Sequence, residues 1–431
     1  MKKKAKHQFK RNHNLIKNET HKERAILVGI EYKGRRWEVN DHLDELEQLA
    51  DTADADVVER VIQARDRIDP AYMIGRGKIN ELAQTAKYLD ADVIIFDDDL
   101  SPAQANNIEN VCKTKIIDRS ALILDIFAKH ARTREARTQV ELAQLKYLLP
   151  RLTRQWTHLS RQVGGIGVRG PGETQLEVDR RMIRKRISLL ETELEKISKQ
   201  RKIRRKRRRD IFKIALVGYT NVGKSTLMNA LTDAEVRVEN QLFATLDSTI
   251  RSMESSEKIL LIDTVGFIRK LPHHLIASFK STLEEARNAD MLMHVIDSSH
   301  PHFEDQIETV KSVLHELQID KKPRLNVFTK IDCLGDFASI QSLRKTYDPS
   351  VFVSAKKGIF LNQLQEKLKT FIQDDYTRFN VTVPLDRGDI IAKLHSIANV
   401  LDIECFDNHA RMEIESTSSN TTRVKQLLQE I

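Results

Sequence analysis

Gly218-Tyr219-Thr220-Asn221-Val222-Gly223-Lys224-Ser225-Thr226 fits the pattern GxxxxGK[ST]. Backbone N–H groups of such a loop cradle phosphates, the lysine reaches the β- and γ-phosphates, and the serine hydroxyl holds Mg²⁺. Further on, Asp263-Thr264-Val265-Gly266 supplies an acid that reaches the metal through water and a glycine N–H for the γ-phosphate. Between the two, Phe243-Ala244-Thr245-Leu246-Asp247 is polar-flanked and poorly periodic. It reads as a switch that brings Thr245, with Thr249 as second choice, to Mg²⁺. Lys224, Thr245 and Gly266 are then the groups expected at the reacting phosphate, and Ser225 and Thr245 the metal ligands.

A second set of residues reads the base. In Thr329-Lys330-Ile331-Asp332 the Asp332 carboxylate can accept from the guanine N1–H and 2-amino group, a donor pair that adenine lacks. The Lys330 stem would lie along the base, and the Ala355 N–H of Ser354-Ala355-Lys356 would meet the guanine O6. A DxxG or a KxD alone is weak. Their order, and their place at successive strand ends, carry the reading.

Apolar runs at Phe212–Val217, Lys258–Ile262, Arg324–Phe328 and Val351–Val353 predict the strands that hold these motifs, in a doubly wound P-loop GTPase domain over residues 211–375. Residues 25–130 alternate short apolar runs (25–30, 91–97, 114–118) with helical periods, which predicts a separate N-terminal α/β domain. Its Gly75-Arg76-Gly77-Lys78 lacks the first Walker glycine, Tyr72 standing there; the simpler reading is a turn opening a helix at Lys78–Lys87. Over 131–210, Leu142, Leu145, Leu149, Leu152, Trp156 and Leu159, then Ile183, Ile187, Leu190, Leu194 and Ile197, recur at steps of three and four. That beat predicts a long antiparallel helical hairpin with arms of about 40 Å, the first kinked or divided at Pro150. Its tip would be the stretch holding Gly164, Gly165, Gly167, Gly170 and Gly172. Residues 376–431 read as a small C-terminal α+β domain with no catalytic constellation, its acids favouring a protein contact over RNA. The histidines, His273 and His274 included, show no metal spacing and are expected at the surface.

The chain has 431 residues, 71 Lys and Arg against 62 Asp and Glu, a net +9. Residues 1–24, a basic tail expected to be disordered, carry +7, and residues 199–209 carry +9, so the remainder is −7. From Arg132 to Arg186 thirteen basic residues face five acids. Two dense cationic segments on an otherwise acidic chain point to a polyanion, and a basic stalk with a glycine tip suits a phosphate-lined cleft. Three scattered cysteines exclude a disulfide framework or cysteine-built zinc site, and no apolar run approaches the length of a membrane span. A cytoplasmic monomer that requires no membrane is the expectation.

The set GYTNVGKST, FATLD, DTVG, TKID and SA, together with GGIGVRGPGETQLE, the helical hairpin and the preceding α/β domain, resembles the HflX family of the translation-factor class of GTPases. The resemblance covers residues 25–375. It implies a GTP hydrolase that uses Mg²⁺, binds the large ribosomal subunit and its RNA, and dissociates stalled or idle ribosomes, with the N-terminal region and hairpin reaching toward the peptidyl-transferase centre. Two positions depart from common GTPase usage. Thr329 stands where Asn usually ties the base loop to the P-loop, and one hydroxyl can make only one of the two usual bonds. Phe267 follows Gly266 where many switch GTPases place Gln; a phenyl ring cannot orient water, so slow hydrolysis, accelerated on the ribosome, is expected. A large-subunit assembly factor and an RNA-dependent, helicase-like P-loop NTPase are the alternatives; Asp332 and Ala355 speak against the ATPase.

Overall fold

In a parallel sheet covered on both faces, strands become short continuous apolar runs. Strand β1 (Glu23–Glu31) is such a run, buried from Ala25 to Ile30. The computed structural model describes residues 22–31, 36–153, 175–206, 211–232, 242–243, 249–253, 256–270, 280–334 and 337–429. With β1, strands β2 (Ala55–Ala64), β3 (Val93–Phe96) and β4 (Lys115–Asp118) form a parallel sheet in the order β2-β1-β3-β4. Helices α1 (Arg36–Thr52), α2 (Arg76–Tyr88) and α3 (Pro102–Cys112) make the three connections, and α4 (Arg119–His130) follows β4. Alternate residues of one strand face different cores: Leu27 and Ile95 lie with Leu43, Leu46 and Phe127, while Ile26, Ile94 and Phe96 lie with Leu82 and Ile108. Strand β2 has no counterpart in the sequence reading, because Glu59 and Arg60 interrupt its apolar run and only Ala55 and Val61 are buried.

Helix α5 (Arg134–Leu148) follows at once, and it belongs to the N-terminal layer as much as to any hairpin. Ala136, Val140 and Ala143 join the core of Ile123 and Phe127. At Pro150, where the sequence predicts a kink or a division, α5 stops, because proline cannot continue a helix, and a 3-10 turn follows at Arg151–Thr153; the remainder of the first arm lies outside the described residues. At 15 residues α5 is about 22 Å long. The Arg151 guanidinium fixes this corner, 2.9 Å from the Asp118 carboxylate and 3.5 Å above the Tyr147 ring. Helix α6 (Gln175–Lys206) runs back along α5, joined by Arg134 to Glu193 and Arg186 to Glu141. On α6 the apolar beat is real: Leu190 is buried, and Ile183, Ile187, Leu194 and Ile197 are half-buried. Trp156, Leu159 and the glycines Gly164–Gly172 lie outside the described residues, as do residues 1–21 of the basic tail.

The central sheet has six strands in the order β10-β9-β8-β5-β7-β6. They are β5 (Phe212–Gly218), β6 (Thr249–Met253), β7 (Ser256–Asp263), β8 (Met291–Asp297), β9 (Arg324–Thr329) and β10 (Ser350–Phe352). All pairs are parallel except β6 with β7. Helices α7 (Lys224–Leu231), α8 (Lys280–Asn288), α9 (Phe303–Glu316), α10 (Phe337–Thr346) and α11 (Leu361–Asp375) flank it. The surface reading of the histidines is also corrected: His294, in the middle of β8, is 1% exposed, and burial pushes its pKa down to about 3. His273 and His274 lie outside the described residues.

The last segment is antiparallel, in the order β11-β13-β12, from β11 (Tyr376–Pro384), β12 (Asn399–Cys405) and β13 (His409–Thr417). Helices α12 (Gly388–Ile397) and α13 (Ser418–Leu428) share one core with it, built on Val383, Leu394, Met412 and Val424. Among the described residues no helix is long and apolar enough to cross a membrane.

Candidate nucleotide site

Strand β5 delivers the chain to Gly218, where a Cβ would stand 2.3 Å from the Val295 carbonyl oxygen, so only glycine fits. The loop then turns through Asn221 (φ 58°) and Gly223 (φ 89°) into α7. Asn221 is exposed, while Tyr219, Thr220 and Val222 are buried. Lys224 is 8% exposed, and its Nζ donates to the carbonyls of Tyr219 at 2.7 Å and Gly218 at 3.3 Å. Burial pushes its pKa down to about 8, against the pull of Asp263. The Ser225 hydroxyl donates to Asp263 Oδ2 at 2.7 Å, and Asp263 is fully buried. Thr264 is tied down through its hydroxyl to the Leu216 carbonyl at 2.6 Å. Thr226 is half-buried and Val265 is buried in the apolar core.

Gly266 packs directly on the P-loop: a Cβ there would lie 2.8 Å from Thr220 Cγ2, 2.9 Å from Thr220 Cα and 3.0 Å from Lys224 Nζ. Phe267 donates its N–H to the Gly218 carbonyl at 3.0 Å and accepts from the Thr220 N–H at 2.7 Å. Its ring is 1% exposed, in a core with Ile262, Ala286, Leu292 and Val310. The side chain at this position points into the protein and away from the phosphate loop.

The base-side residues meet the P-loop from β9 and β10. The Thr329 hydroxyl, 2% exposed, lies 2.7 Å from the Val222 carbonyl and 3.0 Å from that of Ile296, one hydrogen shared by two acceptors. Lys330 donates to the Asn221 carbonyl at 3.0 Å and pairs with Asp297 at 2.6 Å. Ile331 is buried beneath them. The Ser354 hydroxyl beside Asp332 holds that carboxyl below its usual range, helped by Lys357 at 3.7 Å. Ser354 is fully buried, Ala355 is half-buried and Lys356 is exposed. Thus the structure brings the P-loop, Asp263, Gly266, Thr329, Lys330 and Asp332 to one edge of the sheet. Ala244, Thr245, Leu246 and Asp247 lie outside the described residues. The Phe243 ring packs edge-on against Phe127 of α4 at 4.7 Å, so that residue offers a nucleotide its backbone only. Asp297 was missed because β8, whose end it occupies, was missed.

Nor did the sequence disclose what stands behind the P-loop. The Tyr219 hydroxyl donates to Glu45 of α1 and accepts from the Arg269 N–H at 2.8 Å. Burial pushes the Tyr219 pKa up to about 12, which keeps that proton in place. Lys270 Nζ contacts Asp97 at 2.5 Å and Asp98 at 2.6 Å. Arg119, fully enclosed, bridges Glu45 and Asp97, the latter at 2.7 Å. Burial raises Asp97 to about 6 despite Lys270, and burial with the cations Lys270, Arg269 and Arg119 pushes His42 down to about 3. His302 lies 3.1 Å from Asp41 at the margin.

The donors at Ser225 and Asp263 are the hard oxygens that Mg²⁺ takes alongside substrate phosphates, and the buried carboxylate aimed at the hydroxyl fits that ion. Among the described residues no group of three or more His, Cys, Asp and Glu could hold a metal.

A mixed six-stranded sheet with a Walker loop leaving its central strand defines the middle of the chain as a P-loop GTPase domain. Residues 213–330 match the family model described as 50S ribosome-binding GTPase, residues 40–128 that of the GTP-binding GTPase N-terminal region, and residues 130–208 its middle region. GTPase HflX of Escherichia coli is 43% identical over 87% of this chain and 89% of its own length. GTPase HflX of Alkalihalophilus pseudofirmus is 41% identical over 95% and 96%. That of Flavobacterium psychrophilum is 52% identical over 72% and 76%. The chain belongs to the HflX family of GTPases, enzymes that hydrolyse GTP. It is also similar to the crystal structure of a Sulfolobus solfataricus GTP-binding protein in complex with GDP, with 26% identity, a TM-score of 0.43, and coverage of 81% of this chain and 98% of that one.

Proposed function

We propose that this GTPase binds the large ribosomal subunit and dissociates stalled or idle ribosomes in its GTP form, with hydrolysis stimulated by the ribosome. The observation that carries the hydrolysis part is Phe267: its ring is folded into the core, so no side chain at that position orients water. Lys224 exchanges the carbonyls of Gly218 and Tyr219 for β- and γ-phosphate oxygens, and the Gly266 N–H meets the γ-phosphate. Ser225 and Thr245 would hold Mg²⁺, with Asp263 acting through water. The ion would supply charge neutralisation at the phosphates. Asp332 reads the guanine edge, Lys330 flanks the base, and Ala355 meets O6. Water attack on the γ-phosphorus then needs only orientation and charge stabilisation, and the ribosome provides what Phe267 does not.

The ribosomal part rests on charge and on family membership. The family model for residues 213–330 is named for binding the 50S subunit, and α6 carries exposed Arg181, Arg184 and Lys185 beside half-buried Arg180. Binding that favours the free large subunit separates subunits by mass action. The test is sedimentation of ribosomes with the protein and GTP, a non-hydrolysable analogue, GDP or nothing, in parallel with a chain lacking Gly164–Gly172. Free subunits should accumulate with the triphosphates only, and not with the deletion. Association that ignores the nucleotide would sink the reading.

A further inference from the structure

The residues just after Gly266 are held from two sides. On one side Phe267 is bonded through its backbone to Gly218 and Thr220 of the P-loop. On the other, Arg269 and Lys270 are held against the N-terminal layer: the Arg269 N–H by the Tyr219 hydroxyl, itself bonded to Glu45, and the Lys270 ammonium by Asp97 and Asp98. Lys270 is in the left-handed region (φ 51°), and Asp97 is 3% exposed and fixed by Arg119, so this clasp has little slack. Meanwhile the Cβ position of Gly266 stands 3.0 Å from Lys224 Nζ. A γ-phosphate held between Lys224 and the Gly266 N–H has to separate them, and any displacement of Gly266 reaches Lys270 within four residues. A diphosphate makes no such demand.

We propose that Lys270 is a positioning residue that sets the preference for GTP over GDP: its clasp on Asp97 and Asp98 opposes the displacement that a γ-phosphate requires. The inference rests on the nucleotide reading given above. A ligand shifts an equilibrium only by its differential affinity for the two arrangements, and the coupling is reciprocal. GTP therefore loosens the contact between the N-terminal layer and the nucleotide site, and loosening that contact favours GTP. Within a ribosome-acting protein this places the N-terminal layer under direct control of the terminal phosphate, with no intervening subunit.

Lys270→Met keeps the aliphatic stem and removes the ammonium. Affinities for GDP and for a non-hydrolysable GTP analogue are measured by fluorescence titration on the full chain, as wild type, Lys270→Met and Lys270→Arg. The expected result is a GTP-analogue to GDP affinity ratio raised about fivefold in Lys270→Met, GDP affinity unchanged within about twofold, and the ratio returned toward wild type by Lys270→Arg. If Lys270→Met does not fold, Asp98→Asn removes one of the two negative charges that hold Lys270 and should raise the ratio by about half as much on a logarithmic scale. An unchanged or lowered ratio in a variant that still binds both nucleotides overturns the inference. Failure of the wild type to bind either nucleotide overturns the nucleotide reading instead.

Discussion

Replacing Thr329 by Val isolates the bond between the base loop and the phosphate loop. The substitution conserves shape and deletes one hydroxyl, 2% exposed, that stands 2.7 Å from the Val222 carbonyl and 3.0 Å from the Ile296 carbonyl. The Ile296 carbonyl belongs to β8 and keeps its place in the sheet; the Val222 carbonyl sits in the P-loop and loses a donor. Leaving a buried acceptor without its donor costs about 1–2 kcal/mol, which at 1.4 kcal/mol per decade is about 5–30-fold in Kd. The loss should fall equally on GTP and GDP, because the bond lies between the loops and far from the γ-phosphate. Uniform loss raises KM and leaves kcat alone. The assay is titration with fluorescent GDP and GTP analogues, alongside ribosome-stimulated turnover at saturating GTP. A fall in kcat with unchanged affinity would refute the reasoning, since the hydroxyl would then act on the chemical step.

Four further outcomes follow from the same geometry. Lys224 titrates near 8 when it faces only carbonyls and must be charged to hold phosphate, so GTP affinity should fall as pH rises, about fourfold between pH 7 and 8.5; a flat profile by calorimetry would show that Lys224 is not buried as described. Gly266→Ala puts a methyl 2.8 Å from Thr220 Cγ2 and should weaken GTP-analogue binding by about tenfold while GDP binding changes little; equal losses would argue against Gly266 as the γ-phosphate contact. Asp332→Asn exchanges a charged acceptor pair for an amide and should weaken GTP by about 10–100-fold while improving xanthosine triphosphate, which competition binding reads directly. His294 has its folded pKa depressed to about 3, so its neutral form supports stability above the unfolded value near 6.5, and that support is lost as pH falls below it. His294→Gln should recover up to about 2 kcal/mol of the loss between pH 7 and 5, seen as a flatter melting temperature against pH.

How far the sequence could be read depended on whether a residue's surroundings were local. The strands at Phe212, Lys258, Arg324 and Val351 announced themselves as apolar runs ending in polar motifs, and the P-loop glycines carried their own backbone logic. Strand β2 did not, because an edge strand with Glu59 and Arg60 at its middle has no uninterrupted apolar pattern. Strand β8 is fully buried but contains His294, and a buried imidazole looks like a surface residue until its neighbours are known. The leucine beat runs through Leu149 and Leu152, but Pro150 interrupts it, and the helix ends at Leu148 where local sterics override periodicity. Least legible was the layer behind the P-loop. Glu45, Asp97, Arg119 and Lys270 are spread over more than two hundred positions, and each alone is an ordinary surface charge; only the fold makes them neighbours.

Helix α6 is a single rod of 32 residues, about 48 Å from end to end. It ends at Lys206, and β5, whose far end is the P-loop glycine, begins at Phe212. The geometry is that of an oar with a short inboard section. One degree of tilt about the Lys206 end would carry the Gln175 end about 0.8 Å, so a small change of angle near the nucleotide domain is read out as a displacement of bond-length scale at the far end of the rod.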